Sequence, residues 1–174
     1  MEYNLNKSLL TLERTSVVLK ALLSGLPKDW THENEGEDSW SPYDVIGHLI
    51  HGEETDWMPR TKIILGNGAD KNFEPFDRFA QIEKSKGKSL AQLLEEFEML
   101  RKKNLADLKA LNLNEMDLSQ QGIHPQFGAV SLKEMLAAWT AHDLGHIMQI
   151  TRVMAKQYKT EVGPWEEYLG VLKA

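Results

Sequence analysis

The chain has 174 residues and a formal net charge of −6, with 41% hydrophobic residues and no cysteine. This length and hydrophobic content indicate one folded domain, residues 1–174, with a core of its own. No basic block stands out, so nucleic acid is not an expected partner. Without cysteine, the chain itself can supply no disulfide, thiolate metal ligand or cysteine nucleophile.

The distribution of apolar residues predicts a cytoplasmic protein with no membrane partner. The N-terminal sequence MEYNLNKSLL has no long apolar run after a basic start, so we expect no signal peptide. Nowhere do enough apolar residues follow one another to span a bilayer. The absence of cysteine fits a reducing cytoplasm, and any thiol chemistry would use a thiol from outside the chain.

The first half of the chain predicts two amphipathic helices. Leucines repeat at helical spacing after Asn4, which can cap the first helix, and Gly25 ends that helix. The second helix runs from Pro42 to about Leu65, because a serine cap followed by a proline is a strong start signal. Pro59 lies inside this second helix and should kink or split it.

The second half predicts two more helices, each opened by a capping box. One begins at Ser89 and runs to about Leu111, with Arg101 on its apolar side and its stem extended over apolar surface. The other begins at Ser131 and runs to Lys156. Four capped amphipathic helices indicate an all-α four-helix bundle.

The segments between these helices predict connections of different kinds. Residues 29–39 are polar and indicate a loop, and residues 69–88 indicate a long crossover connection with a short helical turn. Residues 112–130 contain turn residues and predict a loop or short hairpin. After the last helix, Trp165 and Tyr168 are expected to pack back on the bundle.

The last helix has polar side chains in the middle of its apolar seam. Residues of this seam recur at successive spacings of four, three, four, three and four: Met135, Trp139, His142, His146, Gln149 and Val153. Burying an unpaired polar group costs about 1–3 kcal/mol, so something inside the bundle should compensate these groups. A metal ion is the leading candidate.

Two histidines on this helix are spaced to share one ion. His142 and His146 are four residues apart, which places both imidazoles on one helix face. Such a pair is a weak signal alone, and His48 is the best candidate for a third ligand because its neighbours are apolar. His51 competes with His48, but its more polar neighbours predict a more solvated position.

A three-imidazole set leaves a coordination position open, as catalytic metal sites do. Nitrogen ligands without cysteine suit zinc or nickel, with other divalent first-row ions as alternatives. His32 and His124 lie in predicted loops and are interpreted as non-ligands, although His124 could reach a pocket mouth.

Several side chains could accept the second N–H of a ligating imidazole. Gln149 lies about one turn beyond His146, while Asp44 lies one turn before the predicted ligand on its own helix and can also cap that helix. Glu53, Glu54 and Asp143 are further candidates. For Glu54 and Asp143, a solvated surface acid is the favoured interpretation.

The motifs occur in an order that resembles a known family. They are Trp40-Ser41-Pro42, then His48-Leu49, then Trp139, His142, His146 and Gln149. Together with the segment HPQFGAVSLKEMLAAWTAHDLGHIMQI, they resemble the DinB-like family over nearly the whole chain. The resemblance implies a four-helix bundle whose metal is held by three histidines. Those ligands correspond to the three histidines selected above from spacing.

The resemblance also implies possible activities and an assembly state. The DinB-like family includes metal-dependent S-transferases that use low-molecular-weight thiols such as bacillithiol or mycothiol, a related isomerase, and members without a known activity. Homodimers are common in it, so the resemblance implies a homodimer. Asp143 and Gly145, between the paired histidines, depart from some relatives.

These observations lead to an enzymatic hypothesis with three alternatives. In the first, a small thiol binds the open metal position, loses its proton and attacks an electrophilic substrate. Glu53 is the candidate general base in this reaction, and Gln149 orients a metal ligand. The alternatives are a metal-dependent hydrolase, in which water replaces the thiol, and a non-catalytic, stress-related module that binds a metal or small molecule. A third interpretation is purely structural, with buried histidines that satisfy one another or bond to backbone.

Overall fold

The computed structural model describes residues 2–173, which form eight α-helices and one antiparallel hairpin. In chain order, the helices are α1 (Leu5–Leu23), α2 (Lys28–His32), α3 (Pro42–Thr55), α4 (Trp57–Leu65), α5 (Ala80–Ser85), α6 (Leu90–Ala110), α7 (Glu115–Ser119) and α8 (Leu132–Lys156). Strands β1 (Gln121–His124) and β2 (Gly128–Ser131) lie between α7 and α8, and short 3₁₀ segments follow at Gly163–Tyr168 and Gly170–Leu172.

The long helices α1, α3, α6 and α8 form the predicted four-helix bundle. Both α1 and α3 pack against α6 and against α8, so α1 and α3 occupy opposite corners. The long connection between α4 and α6 carries α5, which packs on α3. Among residues 2–173, no helix is long and apolar enough to span a bilayer.

The predicted caps set the starts of the long helices. The Asn4 side chain accepts a hydrogen bond of 3.0 Å from the Lys7 amide, and α1 begins there. Capping boxes at Ser41, Ser89 and Ser131 open α3, α6 and α8. Each cap satisfies backbone N–H groups that the first turn of a helix leaves without an intrahelical partner.

The second predicted helix is split at Asp56. Pro59 has no N–H to donate to the carbonyl of Thr55, so the regular hydrogen-bond ladder cannot continue through this point. Asp56 has φ −110° and ψ −77°, away from the usual α-helical values, and the new helix α4 starts at Trp57. Proline therefore divides the helix three residues before its own position.

The connections contain more regular structure than the sequence indicated. The predicted loop at 29–39 begins with the short helix α2, and residues 112–130 contain α7 as well as the hairpin. The expectation for the tail aromatics was wrong, since Trp165 and Tyr168 are 68% and 82% exposed. Leu172 is the tail residue that is buried, in a segment that contacts α8.

The core consists of two apolar clusters. One contains Leu12, Leu105 and Trp139, and the other contains Leu19, Phe97 and Ile150. Between them, along α3, α6 and α8, lie buried polar side chains that we call the polar layer: Glu53, Arg101, Asn104 and Asp143. The three histidines selected from the sequence also lie on α3 and α8 at this level of the bundle.

Candidate metal centre

Three histidines from two helices converge at one point in the bundle. His48 Nε2 lies 3.1 Å from His142 Nε2, which lies 3.0 Å from His146 Nε2. His48 comes from α3, and the other two come from successive turns of α8. One ligand atom from each residue lies within 4.8 Å of the others. We call this group the histidine triad.

Hydrogen bonds among the three histidines cannot provide a partner for every ring nitrogen of the triad. His142 Nε2 has two nitrogen neighbours, at 3.0 and 3.1 Å. A neutral imidazole nitrogen carries either one proton or one lone pair, so it can make only one of these two bonds. The Nδ1 atoms of His48 and His142 are buried and have no hydrogen-bond partner within residues 2–173.

A divalent cation fits this geometry. Nitrogens about 2.0–2.1 Å from a tetrahedral zinc ion lie about 3.3 Å apart, close to the two observed separations of 3.0 and 3.1 Å. Three imidazoles fill three positions and leave a fourth for water or substrate. Three lone pairs directed at one point suit zinc, nickel and other first-row ions alike, so the geometry does not select the element.

The environment keeps His48 and His146 in the neutral form that binds metals. Burial lowers the pKa of His48 to about 3, and the nearby imidazoles of His146 and His142 act in the same direction. Burial, followed by His142, lowers the pKa of His146 to about 4. Neutral imidazole is the ligating form, so at neutral pH a metal need not displace protons from these two rings.

A family model matches the part of the chain that contains the triad. The model of the DinB superfamily matches residues 11–150, which include the whole histidine triad. The chain belongs to the DinB superfamily. This confirms the resemblance seen in the motifs and the bundle architecture expected from it.

A solved structure with the same fold extends over most of the chain. It is YfiT from Bacillus subtilis, described as a probable metal-dependent hydrolase with an unusual four-helix bundle topology. The TM-score is 0.73 and the identity 18%, covering 91% of this chain and 87% of YfiT. At this identity the likeness shows the shared fold. A search of curated proteins found no match.

In this DinB-superfamily chain, aromatic rings surround the triad. The Trp40 ring centroid is 4.7 Å from His48 and 6.4 Å from His146. Phe76 meets His48 edge-on at 5.5 Å, and Trp57 meets His142 edge-on at 5.2 Å. These rings restrict water around the imidazoles. The His142 side chain nevertheless keeps 27% of its surface exposed, so the triad is open to solvent on that side.

Gln149 lies where it can orient a ligand. Its Oε1 is 2.8 Å from His146 Nδ1, one helical turn away along α8. If His146 Nδ1 carries the proton and donates to Gln149, the Nε2 lone pair is directed at the centre of the triad. The orienting role of Gln149 stays a prediction, and its carboxamide has the geometry for that role.

The polar layer lies directly beside the triad and is held by Arg101. The guanidinium donates to Glu53 Oε1 at 2.7 and 2.9 Å and makes a bidentate pair with Asp143. It also donates to the carbonyl of Leu12 at 2.9 Å, so this side chain of α6 bonds to α1, α3 and α8. Asn104 completes the layer by donating to Glu53 Oε2 at 2.9 Å.

This arrangement argues against the predicted role of Glu53 as a general base. The Glu53 side chain has no exposed surface, and both its oxygens already accept hydrogen bonds from protein donors. Burial raises the pKa of Glu53, although Arg101 opposes that effect. A carboxylate bonded on both oxygens and closed to solvent cannot reach a substrate proton, so Glu53 acts as a structural ion-pair partner.

Two further expectations about charged residues were wrong. Asp143 was interpreted as a solvated acid, but its side chain is fully buried, with Oδ1 3.8 Å from His142 Nδ1. Burial alone would raise its pKa, but His142 and Arg101 outweigh burial, and the pKa lies below the ordinary value. Arg101 is only 1% exposed, so it does not extend along the surface. The position of Arg101 on the apolar side of its helix is the sequence signal that could have indicated a buried acidic partner.

The remaining histidines do not join the triad. His51 is only 5% exposed, which corrects the expected solvated position, and its Nδ1 lies 3.2 Å from Lys84 Nζ. His32 Nδ1 lies 2.9 Å from the Thr31 hydroxyl, and His124 Nδ1 accepts from the Gln126 amide at 3.1 Å. These three imidazoles therefore have partners elsewhere in the structure.

The other acidic candidates are also accounted for. Asp44 accepts from the backbone and hydroxyl of Ser41 at 3.0 and 2.6 Å, so its capping role prevails. Glu54 is exposed and pairs with Lys84 at 2.6 Å, as expected for a surface acid. A cavity of about 580 Å³ lies between the end of α1, α2 and the start of α6, and includes His32 but none of the triad.

Proposed function

We propose that this chain is a metal-dependent S-transferase that joins a low-molecular-weight thiol to an electrophilic substrate. The observation that carries the proposal is the convergence of three imidazoles on one point, with a fourth position left for a ligand. A divalent cation held there would supply Lewis acidity, which favours the thiolate form of a bound thiol at neutral pH. The absence of cysteine means that the sulfur must come from a separate molecule.

The chain's own residues perform the remaining tasks. His48, His142 and His146 would hold the cation, and Gln149 would fix the ring of His146. Trp40, Phe76 and Trp57 supply apolar walls that limit water. In the reaction, the thiol sulfur bonds to the electrophilic carbon and the bond to the leaving group breaks. The thiol proton passes to solvent on the open side of His142.

The test combines metal analysis with a conjugation assay. Elemental analysis of the purified protein should find a first-row divalent metal, zinc or nickel, at one ion per chain. Protein loaded with that metal should then conjugate 1-chloro-2,4-dinitrobenzene to bacillithiol, mycothiol or cysteine faster than the solution reaction. Conjugation should stop when a chelator is added and resume when metal is restored. Conjugation that survives the chelator would refute the proposal.

A metal-dependent hydrolase is the second candidate, favoured by the likeness to YfiT, which is described as a probable metal-dependent hydrolase. The same three imidazoles would serve, with water in place of the thiol. Metal-loaded protein that hydrolyses p-nitrophenyl acetate without any thiol, and gains nothing from added thiols, would support this candidate over thiol transfer. Replacing His142 with alanine should abolish either activity.

A further inference from the structure

Arg78 lies in the connection between α4 and α5, at the edge of the triad. Phe76, two residues earlier, meets the His48 ring at 5.5 Å. The Arg78 guanidinium carbon is 5.4 Å from the centroid of Trp40, whose ring is 4.7 Å from His48. Arg78 is therefore separated from a predicted metal ligand by one aromatic ring, and its charge is among those that oppose protonation of His48.

The hydrogen-bonding capacity of Arg78 is unused. Its guanidinium lies over the rings of Trp40 and Phe79, at 5.4 and 5.2 Å. Within the described part of the chain, it makes no hydrogen bond or ion pair, and the side chain is exposed. A guanidinium that contacts aromatic rings can still offer its N–H groups to a bidentate partner.

Two other cations near this side of the bundle are already neutralised. Lys84 pairs with Glu54 at 2.6 Å, and Arg60 pairs with Asp56 at 2.7 Å. Arg78 differs from both because its charge has no protein counterpart among residues 2–173. An unpaired cation beside a candidate metal centre attracts anions to that centre.

We propose that Arg78 binds a carboxylate of the molecule that occupies the open metal position. The proposal rests on the proposed function and narrows its substrate class. The substrate would carry one group for the cation and a separate carboxylate for Arg78. A planar guanidinium matches a carboxylate through two parallel hydrogen bonds, and such charge-assisted pairs are among the stronger ones in proteins.

The test measures ligand binding to the cobalt(II)-loaded protein, whose visible spectrum reports on the metal's ligands. The neutral thiol 2-mercaptoethanol is compared with 3-mercaptopropionate, and acetate is compared with succinate, which has a second carboxylate. The wild-type protein should bind 3-mercaptopropionate about tenfold more tightly than 2-mercaptoethanol, and succinate about tenfold more tightly than acetate. Arg78→Gln should remove both preferences and leave the affinity for the neutral thiol 2-mercaptoethanol unchanged, while Arg78→Lys should keep part of both preferences.

Lys86→Gln is the matched control. It removes one positive charge from the other end of the long connection between α4 and α6, where Lys86 pairs with Glu83 at 3.5 Å. It should keep both preferences. No preference in the wild type, or an equal loss in Lys86→Gln, would overturn the role of Arg78. If no thiol produces a thiolate-to-cobalt charge-transfer band, the proposal of thiol transfer is refuted. The titrations with succinate and acetate would still test the proposed role of Arg78. Protein that binds no cobalt would overturn both proposals.

Discussion

The histidine triad and the polar layer are neighbouring polar groups in one bundle, yet they differ in how their atoms are satisfied. In the polar layer, Arg101 and Asn104 supply donors to both oxygens of Glu53. In the triad, His142 Nε2 has two nitrogen neighbours and can bond to only one. The polar layer is satisfied by donors and acceptors of the chain itself, whereas the triad has the geometry to hold a cation.

The contrast is sharpest between two adjacent residues. His142 directs its Nε2 toward the triad, while Asp143 directs its carboxylate to Arg101 in the polar layer. His142 Nδ1 and Asp143 Oδ1 are 3.8 Å apart, so the two regions adjoin without a hydrogen bond between these side chains. Replacements in the polar layer should therefore lower the free energy of unfolding, whereas replacements in the triad should weaken metal binding.

The largest effect should come from removing the cation of the polar layer. Arg101→Met would leave Glu53 and Asp143 buried without their counter-charge, and breaking such a buried pair costs about 3–5 kcal/mol. Chemical denaturation of the metal-free protein measures this loss. Lys102→Met is the control, because Lys102 is 70% exposed and its pair with Glu98 should contribute less than about 1 kcal/mol. Equal stability of the two variants would mean that the polar layer contributes nothing to folding.

The next effect should appear in metal affinity with little change in folding. His142→Ala removes one ligand and should weaken metal binding by more than about 100-fold, beyond the usual cost of losing an orienting partner. Elemental analysis after dialysis checks this. His51→Ala is the control, because His51 lies on the same helix as His48 but its Nδ1 contacts Lys84 Nζ. The His51→Ala variant should keep the metal content of the wild type. Loss of metal in His51→Ala would show that the wrong histidine was chosen on α3.

A smaller effect on metal affinity should follow from Gln149→Ala. The change removes the acceptor 2.8 Å from His146 Nδ1 and leaves all three ligands in place. Loss of such an orienting partner typically weakens metal binding about 10–100-fold. Competition with a chromophoric chelator measures the difference. An unchanged affinity would mean that the helix alone holds the ring of His146.

The smallest effect should be a pH dependence of the metal-free protein. The pKa of His48 is about 3 when folded and near 6.5 when unfolded, so the unfolded chain binds more protons between these values. The free energy of unfolding should therefore fall as the pH falls. For this one group, the loss between pH 7 and pH 5.5 is about 1 kcal/mol. Denaturation of the wild type and of His48→Gln at both pH values isolates it, and parallel profiles would contradict the lowered pKa.

The sequence predicted the histidine triad because helical spacing carries the information. A separation of four residues places His142 and His146 on one face whatever the rest of the fold does. His48 was found because apolar neighbours indicate a buried face. Capping residues such as Ser89 and Ser131 predicted helix starts equally well, since a cap depends only on residues within one turn.

The polar layer could not be predicted in the same way because its partners come from different helices. Glu53, Arg101 and Asp143 are 48 and 42 residues from one another along the chain, and no local rule pairs them. Single acids on amphipathic helices are usually solvated, so the general expectation failed for Asp143. Arg78 was missed for a related reason, because it lies in a connection whose path depends on tertiary packing.

The contacts of Arg101 with α1, α3 and α8 have a consequence for how the bundle opens. Detaching any one of these helices would strand a charge or a carbonyl in an apolar interior, so partial opening is as costly as complete unfolding at this level. Amide hydrogens near the midpoints of all four long helices should exchange with deuterium with one common free energy of opening. The ends of those helices should exchange sooner.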